Sequence, residues 1–429
     1  MIDYEAPMQK KSFFLSKASR PKGGRSAIKK CLFFLLLIAV LLAAGPVLRF
    51  VSPADESSQA GLPQILPPES RDPETPRTEG PVSVPEPAEI LLNSMTVEEK
   101  VYQLFVVTPD SLTGQSPETG EDDALYTALT SRPVGGLIFN ASHLISREQT
   151  AAMLETAQAV SLIPLLTCAD EEGGRVTRLM NTLGTTRLDA MFSYRSLGPE
   201  TAYDNAALIA KDMLSLGFNA DLAPVADVWS NPANTVIGDR AYSDNYAQAA
   251  ELVAAAVRGF REQGLICTLK HFPGHGDTLE DSHYSAAYIH KDPETLHAQE
   301  FLPFIAGIEA GADMVMIGHL NVPSLDEVQA TFSRKIVTDI LREELGFAGV
   351  IITDSLSMAA AAGYAQTGEI CVQALEAGCD LLLDPDDLDA GVHGVLAALE
   401  SGRLSEDRLN ESVLRILRMK TPLLPPGEE

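Results

Sequence analysis

Lys270-His271-Phe272-Pro273-Gly274-His275-Gly276-Asp277-Thr278-Leu279-Glu280-Asp281-Ser282-His283 crowds three His and three acids around two Gly and a Pro. It follows the β-prone run Leu265-Ile266-Cys267-Thr268-Leu269. Gly274 and Gly276 disfavour a helix and Pro273 breaks a ladder, so the stretch reads as a loop leaving the end of a strand. Three readings are open. His271, His275, Asp277, Asp281 and His283 are possible metal ligands, but His-x-x-x-His is metal-like mainly on a helix, and Pro273-Gly274 removes the helix. The groups could also satisfy one another in a tight turn. The third reading is catalysis: Asp281 beside His283 can orient the imidazole for proton transfer near neutral pH.

Outward from this loop, short β-prone runs alternate with helix-length segments. The expected strands are Leu104 to Val107, Gly136 to Asn140, Ile163 to Cys168, Ala220 to Leu222, Ile266 to Lys270, Met314 to Ile317, Val350 to Thr353 and Leu381 to Leu383. Helix starts are marked by Thr96 with Glu99, Ser146 with Gln149, Pro293 and Ser333. Eight such units suit a (β/α)8 TIM-like barrel, with a doubly wound open sheet as the alternative. In a barrel the residues after each strand converge on one mouth, and these are polar: Asp170, Asp227, Lys270 with His271, His319 and Asp354. Asp354 ends an apolar strand, and its structural alternative is the N-cap of the next helix. Trp229, the sole Trp, could stack on a ligand or simply line the rim.

The stretch from Lys270 to Thr278, with Asp281-Ser282-His283, resembles glycoside hydrolase family 3, in its β-N-acetylglucosaminidase (β-N-acetylhexosaminidase) branch. Met95-Thr96-Val97-Glu98-Glu99-Lys100-Val101, Asp170-Glu171-Glu172-Gly173-Gly174-Arg175-Val176, Ala223-Pro224-Val225-Ala226-Asp227-Val228 and Ile352-Thr353-Asp354-Ser355-Leu356-Ser357-Met358 agree in order. The resemblance implies a TIM-like barrel and an exo-acting, retaining enzyme without cofactor or metal. It implies Asp354 as nucleophile, His283 as general acid/base and Asp281 as its orienting partner. Asp170, Arg178, Arg240, Lys270 and His271 match positions that bind the terminal N-acetylglucosamine. Ser355 stands where some members carry a second acid. The implied substrate is a β-linked GlcNAc glycan, with peptidoglycan fragments or muropeptides suggested by an exported location. A β-glucosidase or β-xylosidase, a GlcNAc phosphorylase and a catalytically dead wall-binding protein are the alternatives.

Charge is unevenly placed. The first fifty residues hold nine Lys and Arg against two acids, leaving 23 bases against 57 acids beyond them. A body at net −34 repels phosphate backbones, so no nucleic-acid partner is expected. The basic leader 1–30 precedes an apolar run from Cys31, and 31–50 is expected to be a transmembrane signal-anchor with the body outside. A cleaved signal peptide ending near Ala43 and Ala44 is the rival. Residues 51–88, rich in Pro, Glu and Ser, read as a disordered tether. A single catalytic barrel over 89–421, a tail at 422–429 and a monomer are expected. Cys168, Cys267, Cys371 and Cys379 fall in or beside predicted elements and are expected to be free buried thiols.

Overall fold

The computed structural model describes residues 86–115, 122–279 and 286–423. The anchor at 31–50, the tether up to residue 85, and Asp281 and His283 lie outside the described residues. Among the described residues, no helix is long and apolar enough to cross a membrane.

The strands are β1 (Phe105–Val107), β2 (Gly136–Ile138), β3 (Leu166–Ala169), β4 (Ala220–Asp221), β5 (Ile266–Phe272), β6 (Ala287–Tyr288), β7 (Met314–Ile317), β8 (Leu320–Asn321), β9 (Val350–Thr353) and β10 (Leu382–Leu383). Eight form one parallel sheet in the order β10-β1-β2-β3-β4-β5-β7-β9. A parallel bridge from Ile352 to Leu381 joins its two ends, so the sheet curls into a barrel and excludes the open-sheet alternative. Every residue of these eight strands is buried, as required where helices cover the outside and side chains fill the inside. That double burial is why the strands read as continuous apolar runs without alternation. Strands β6 and β8 form a separate parallel pair.

Capping chemistry sets the helix positions. Thr96 and Glu99 form a reciprocal capping box, Ser146 accepts from the Gln149 amide, and Pro293 opens its helix behind the Asp292 cap. The Ser333 hydroxyl accepts from the Ile336 amide ahead of a π-helix over Lys335–Glu344. The first described helix, Pro87–Ser94, begins inside the segment expected to be tether, because Ala88, Leu91 and Leu92 bury against the final helix, Glu406–Lys420. Helical structure is therefore already present before residue 89.

At the N-terminal ends of the strands, ion pairs close the barrel. Buried Asp380 accepts from Arg342 at 2.7 Å, Arg415 at 3.0 Å, the Ser412 hydroxyl at 2.7 Å and the Ile351 amide at 3.0 Å. Lys420 reaches the Gln103 side-chain oxygen at 3.0 Å and the Gly135 carbonyl from the same end. Cys168, Cys267, Cys371 and Cys379 are buried free thiols.

Candidate active site

The expected loop from Lys270 starts later than its sequence suggests, because β5 continues through Phe272. Phe272 packs between Phe301 and Phe304, each ring centroid 5.2 Å away, and this apolar anchorage outweighs the following Pro273. Leu269 pairs with Val315 and Phe272 with Ile317, so one extra residue bulges from β5 at Lys270 and His271. A bulge re-aims side chains at a strand end. Here it serves both functional candidates on that strand.

Lys270 is buried, with its ammonium 2.7 Å from Asp170 and 2.6 Å from Glu172. Arg240 grips Glu172 with two bonds of 2.8 Å, and Arg178 reaches Asp170 at 3.2 Å. These five groups from four stretches of chain therefore form one network. Burial alone would raise the Glu172 pKa, but Arg240 and Lys270 outweigh it and hold the carboxyl well below its usual range. Burial also opposes the Lys270 charge, yet Asp170 and Glu172 push its pKa up. Such a network is expensive to desolvate and stable only while complete. Its exposed edge presents fixed charged donors and acceptors, suited to sugar hydroxyls.

Glu171 sets the angle of this edge. Its carboxylate accepts from the Thr177 hydroxyl and from the amides of Arg178, Leu179 and Met180, which fixes the turn bearing Arg178. Gly174 sits at φ +60°, where a Cβ would lie 2.6 Å from the Ala190 backbone, so the close packing there requires glycine.

His271 belongs to a second network. Asp227 Oδ2 accepts from His271 Nδ1 at 2.6 Å, while its Oδ1 accepts from the His271 and His275 amides at 3.1 and 2.6 Å. Burial opposes ionisation of Asp227, but His271 leads the groups that lower its pKa. His275 is buried against Thr278, and desolvation pulls its pKa to about 4, so it is neutral at working pH. Gly276 passes so close to Val228 that a Cβ would meet its carbonyl at 1.7 Å. Among the described residues, no three His, Cys, Asp or Glu converge as metal ligands.

Asp354 follows β9 at the same mouth. It is not a helix cap: the next helix, Ala359–Ala362, is preceded by Met358. Its Oδ1 accepts from the Ser355 amide at 2.8 Å, and among the described residues Oδ2 accepts no hydrogen bond. Burial works against its charge, but His271, His319, the Ser355 amide and Lys270 together hold its pKa below the ordinary value. The result is an ionised carboxylate with one oxygen anchored by the Ser355 amide. Trp229 meets Phe192 edge-on at 4.9 Å and packs on Val225, Ile237 and Ala241, which favours the rim reading over a sugar platform.

The structure brings Asp170, Arg178, Arg240 and Lys270 into one network and sets His271 and Asp354 at the same mouth, whereas the sequence reading gave no role to Glu171 or Glu172 and named Asp227 only as a strand-end residue. Two adjacent acids after Asp170 were the available signal.

The sequence profile of the Glycosyl hydrolase family 3 N terminal domain matches residues 96–419. Beta-hexosaminidase A of Pseudoalteromonas piscicida is 33% identical over 320 residues, covering 68% of this chain and 54% of that protein. Beta-hexosaminidase of Stenotrophomonas maltophilia strain R551-3 is 35% identical over 301 residues, covering 68% and 86%. A solved glycoside hydrolase family 3 beta-N-acetylglucosaminidase from Paenibacillus sp. str. FPU-7 superposes with TM-score 0.72 at 37% identity, covering 76% of this chain and 62% of that one. The chain thus spans little more than half of the Pseudoalteromonas protein. Since the family profile runs through all eight barrel strands and both networks at their ends, the chain belongs to glycoside hydrolase family 3.

Proposed function

We propose that this protein is an exo-acting, retaining β-N-acetylglucosaminidase that removes terminal GlcNAc from β-linked glycans, with peptidoglycan fragments as its substrate class. The observation that carries the reading is Asp354: an ionised carboxylate at the barrel mouth, held at one oxygen by the Ser355 amide, its other oxygen accepting no hydrogen bond from the described residues. The hexosaminidase names of the relatives support the acetamido sugar.

In the proposed mechanism, the free oxygen of Asp354 attacks the anomeric carbon while His283 gives its proton to the departing glycosidic oxygen. A glycosyl-aspartate forms. Water then loses a proton to His283 and attacks the same carbon, releasing Asp354 and a sugar of retained configuration. Asp170, Arg178, Arg240, Lys270 and His271 hold the sugar. The roles of Asp281 and His283 rest on the family resemblance. Export, with the segment 31–50 as anchor, belongs to the same proposal.

The test is turnover by the full chain of paired aryl β-N-acetylglucosaminide and aryl β-glucoside substrates, with and without phosphate. The proposal expects strong preference for the acetamido sugar, phosphate-independent turnover, and collapse in Asp354→Asn and His283→Ala. Preference for the glucoside, or dependence on phosphate, would replace it with the corresponding alternative. Silence on both substrates would favour a binding protein.

A further inference from the structure

We propose that His319 is a positioning residue for the nucleophile, acting through the Ser355 backbone to hold the Asp354 carboxylate in its attacking orientation. The inference rests on the reading of Asp354 as nucleophile and goes beyond it, since His319 is outside the set of sugar-binding and acid/base residues.

His319 lies two residues beyond β7, fully buried, facing the turn that follows β9. Its Nε2 is 2.8 Å from the Ser355 carbonyl, and its Nδ1 is 2.7 Å from the Thr331 hydroxyl. A carbonyl oxygen only accepts, so Nε2 carries a proton and donates to Ser355, while Nδ1 pairs with the Thr331 hydroxyl. The imidazole thereby bridges a fixed hydroxyl and the backbone of Ser355. The peptide unit it grasps is held from its other side as well, because the Leu356 amide donates to the Leu383 carbonyl at 2.8 Å. With both edges pinned, Ser355 has little freedom to rotate. Its own amide is the donor that anchors Asp354 Oδ1 at 2.8 Å.

The strand end is tied in the same way, since the Asp354 amide donates to the Ile317 carbonyl at the end of β7. His319 therefore sits where β7 and β9 converge and couples both to the reacting carboxylate. Removing the imidazole frees the Ser355 carbonyl and loosens the amide that orients Asp354. It also removes a positive influence on that carboxylate. An error of about 1 Å in the placement of a reacting group can cost ~10²-fold in rate.

The experiment compares His319→Ala, His319→Gln, Thr331→Val and Asp354→Asn in the full chain on an aryl β-N-acetylglucosaminide. Unfolding midpoints and the pH profile of kcat/KM are measured beside the kinetics. His319→Ala is expected to lose about 10²-fold in kcat with KM nearly unchanged, and its acid limb should move to higher pH. His319→Gln, whose amide N–H can replace Nε2, should recover most of the rate at a similar unfolding midpoint. Thr331→Val should fall between them. The proposal is overturned if His319→Ala stays within a few-fold of the parent, or if Gln is as impaired as Ala. It is also overturned if the loss appears in KM alone. Should His319→Ala fail to fold, parent-like kcat in Thr331→Val overturns the proposal, and an intermediate kcat upholds it. Activity in Asp354→Asn would remove the nucleophile reading itself, whereas inactive Asp354→Asn with active His319→Ala would remove only the role of His319.

Discussion

Glu172 shows how much of a site can hide in one side chain. It neutralises Lys270 and Arg240 together, two cations drawn from residues far apart in the chain. Replacing it by Gln leaves Lys270 with Asp170 as its remaining ion-pair partner and Arg240 with only the more distant Asp227 and Asp170, and breaking buried pairs costs about 3–5 kcal/mol. Glu172→Gln should therefore lower the denaturant midpoint markedly and raise KM, because Lys270 and Arg240 lose their fixed geometry. Equilibrium unfolding with initial-rate kinetics checks both effects. An unchanged midpoint would show the network to be dispensable. The sequence displayed Glu172 inside a quoted motif but could not show its partners, since ion pairs between distant segments leave no local periodicity. Asp227 is similar: its position after a strand was legible, while its grip on His271 Nδ1 depends on the bulge in β5.

At the scale of elements, all eight barrel strands were legible within a few residues, and Met314–Ile317 and Val350–Thr353 agree at both ends. Burial on both faces writes such strands as apolar runs. What failed were features decided by tertiary contacts: the extension of β5 through Phe272, the two-residue strands β6 and β8, and the early start at Pro87. The two ends of the barrel have separate tasks. The mouth carries the proposed reacting groups, and the opposite end carries the Arg342, Arg408 and Arg415 cluster on Asp380. Asp380→Asn should destabilise the fold by about 3–5 kcal/mol and leave KM unchanged, as read by urea unfolding and steady-state kinetics. A change in KM without loss of stability would contradict this division.

At the scale of the whole molecule, a strongly acidic chain keeps one amine, Lys420, buried against neutral acceptors. Desolvation lowers its pKa from 10.5 to about 7. Between those values the unfolded chain binds more protons than the folded one, so this group adds stability as pH rises from 7 to 10.5. Lys420→Met should accordingly gain on the parent as pH falls from 10 to 7, and urea unfolding at the two pH values measures the difference. A pH-independent difference would mean that the amine ionises as freely in the folded chain as in the unfolded one. The overall design is a barrel locked at one end and chemically armed at the other, and its central claim is that Asp354 forms the covalent intermediate. The direct measurement is to incubate the protein with a fluorinated N-acetylglucosaminide that slows release of the glycosyl-enzyme, then map the digest by mass spectrometry. The account predicts one added sugar on the peptide containing Asp354 and none in Asp354→Asn. A sugar on another residue, or turnover without any covalent species, would contradict it.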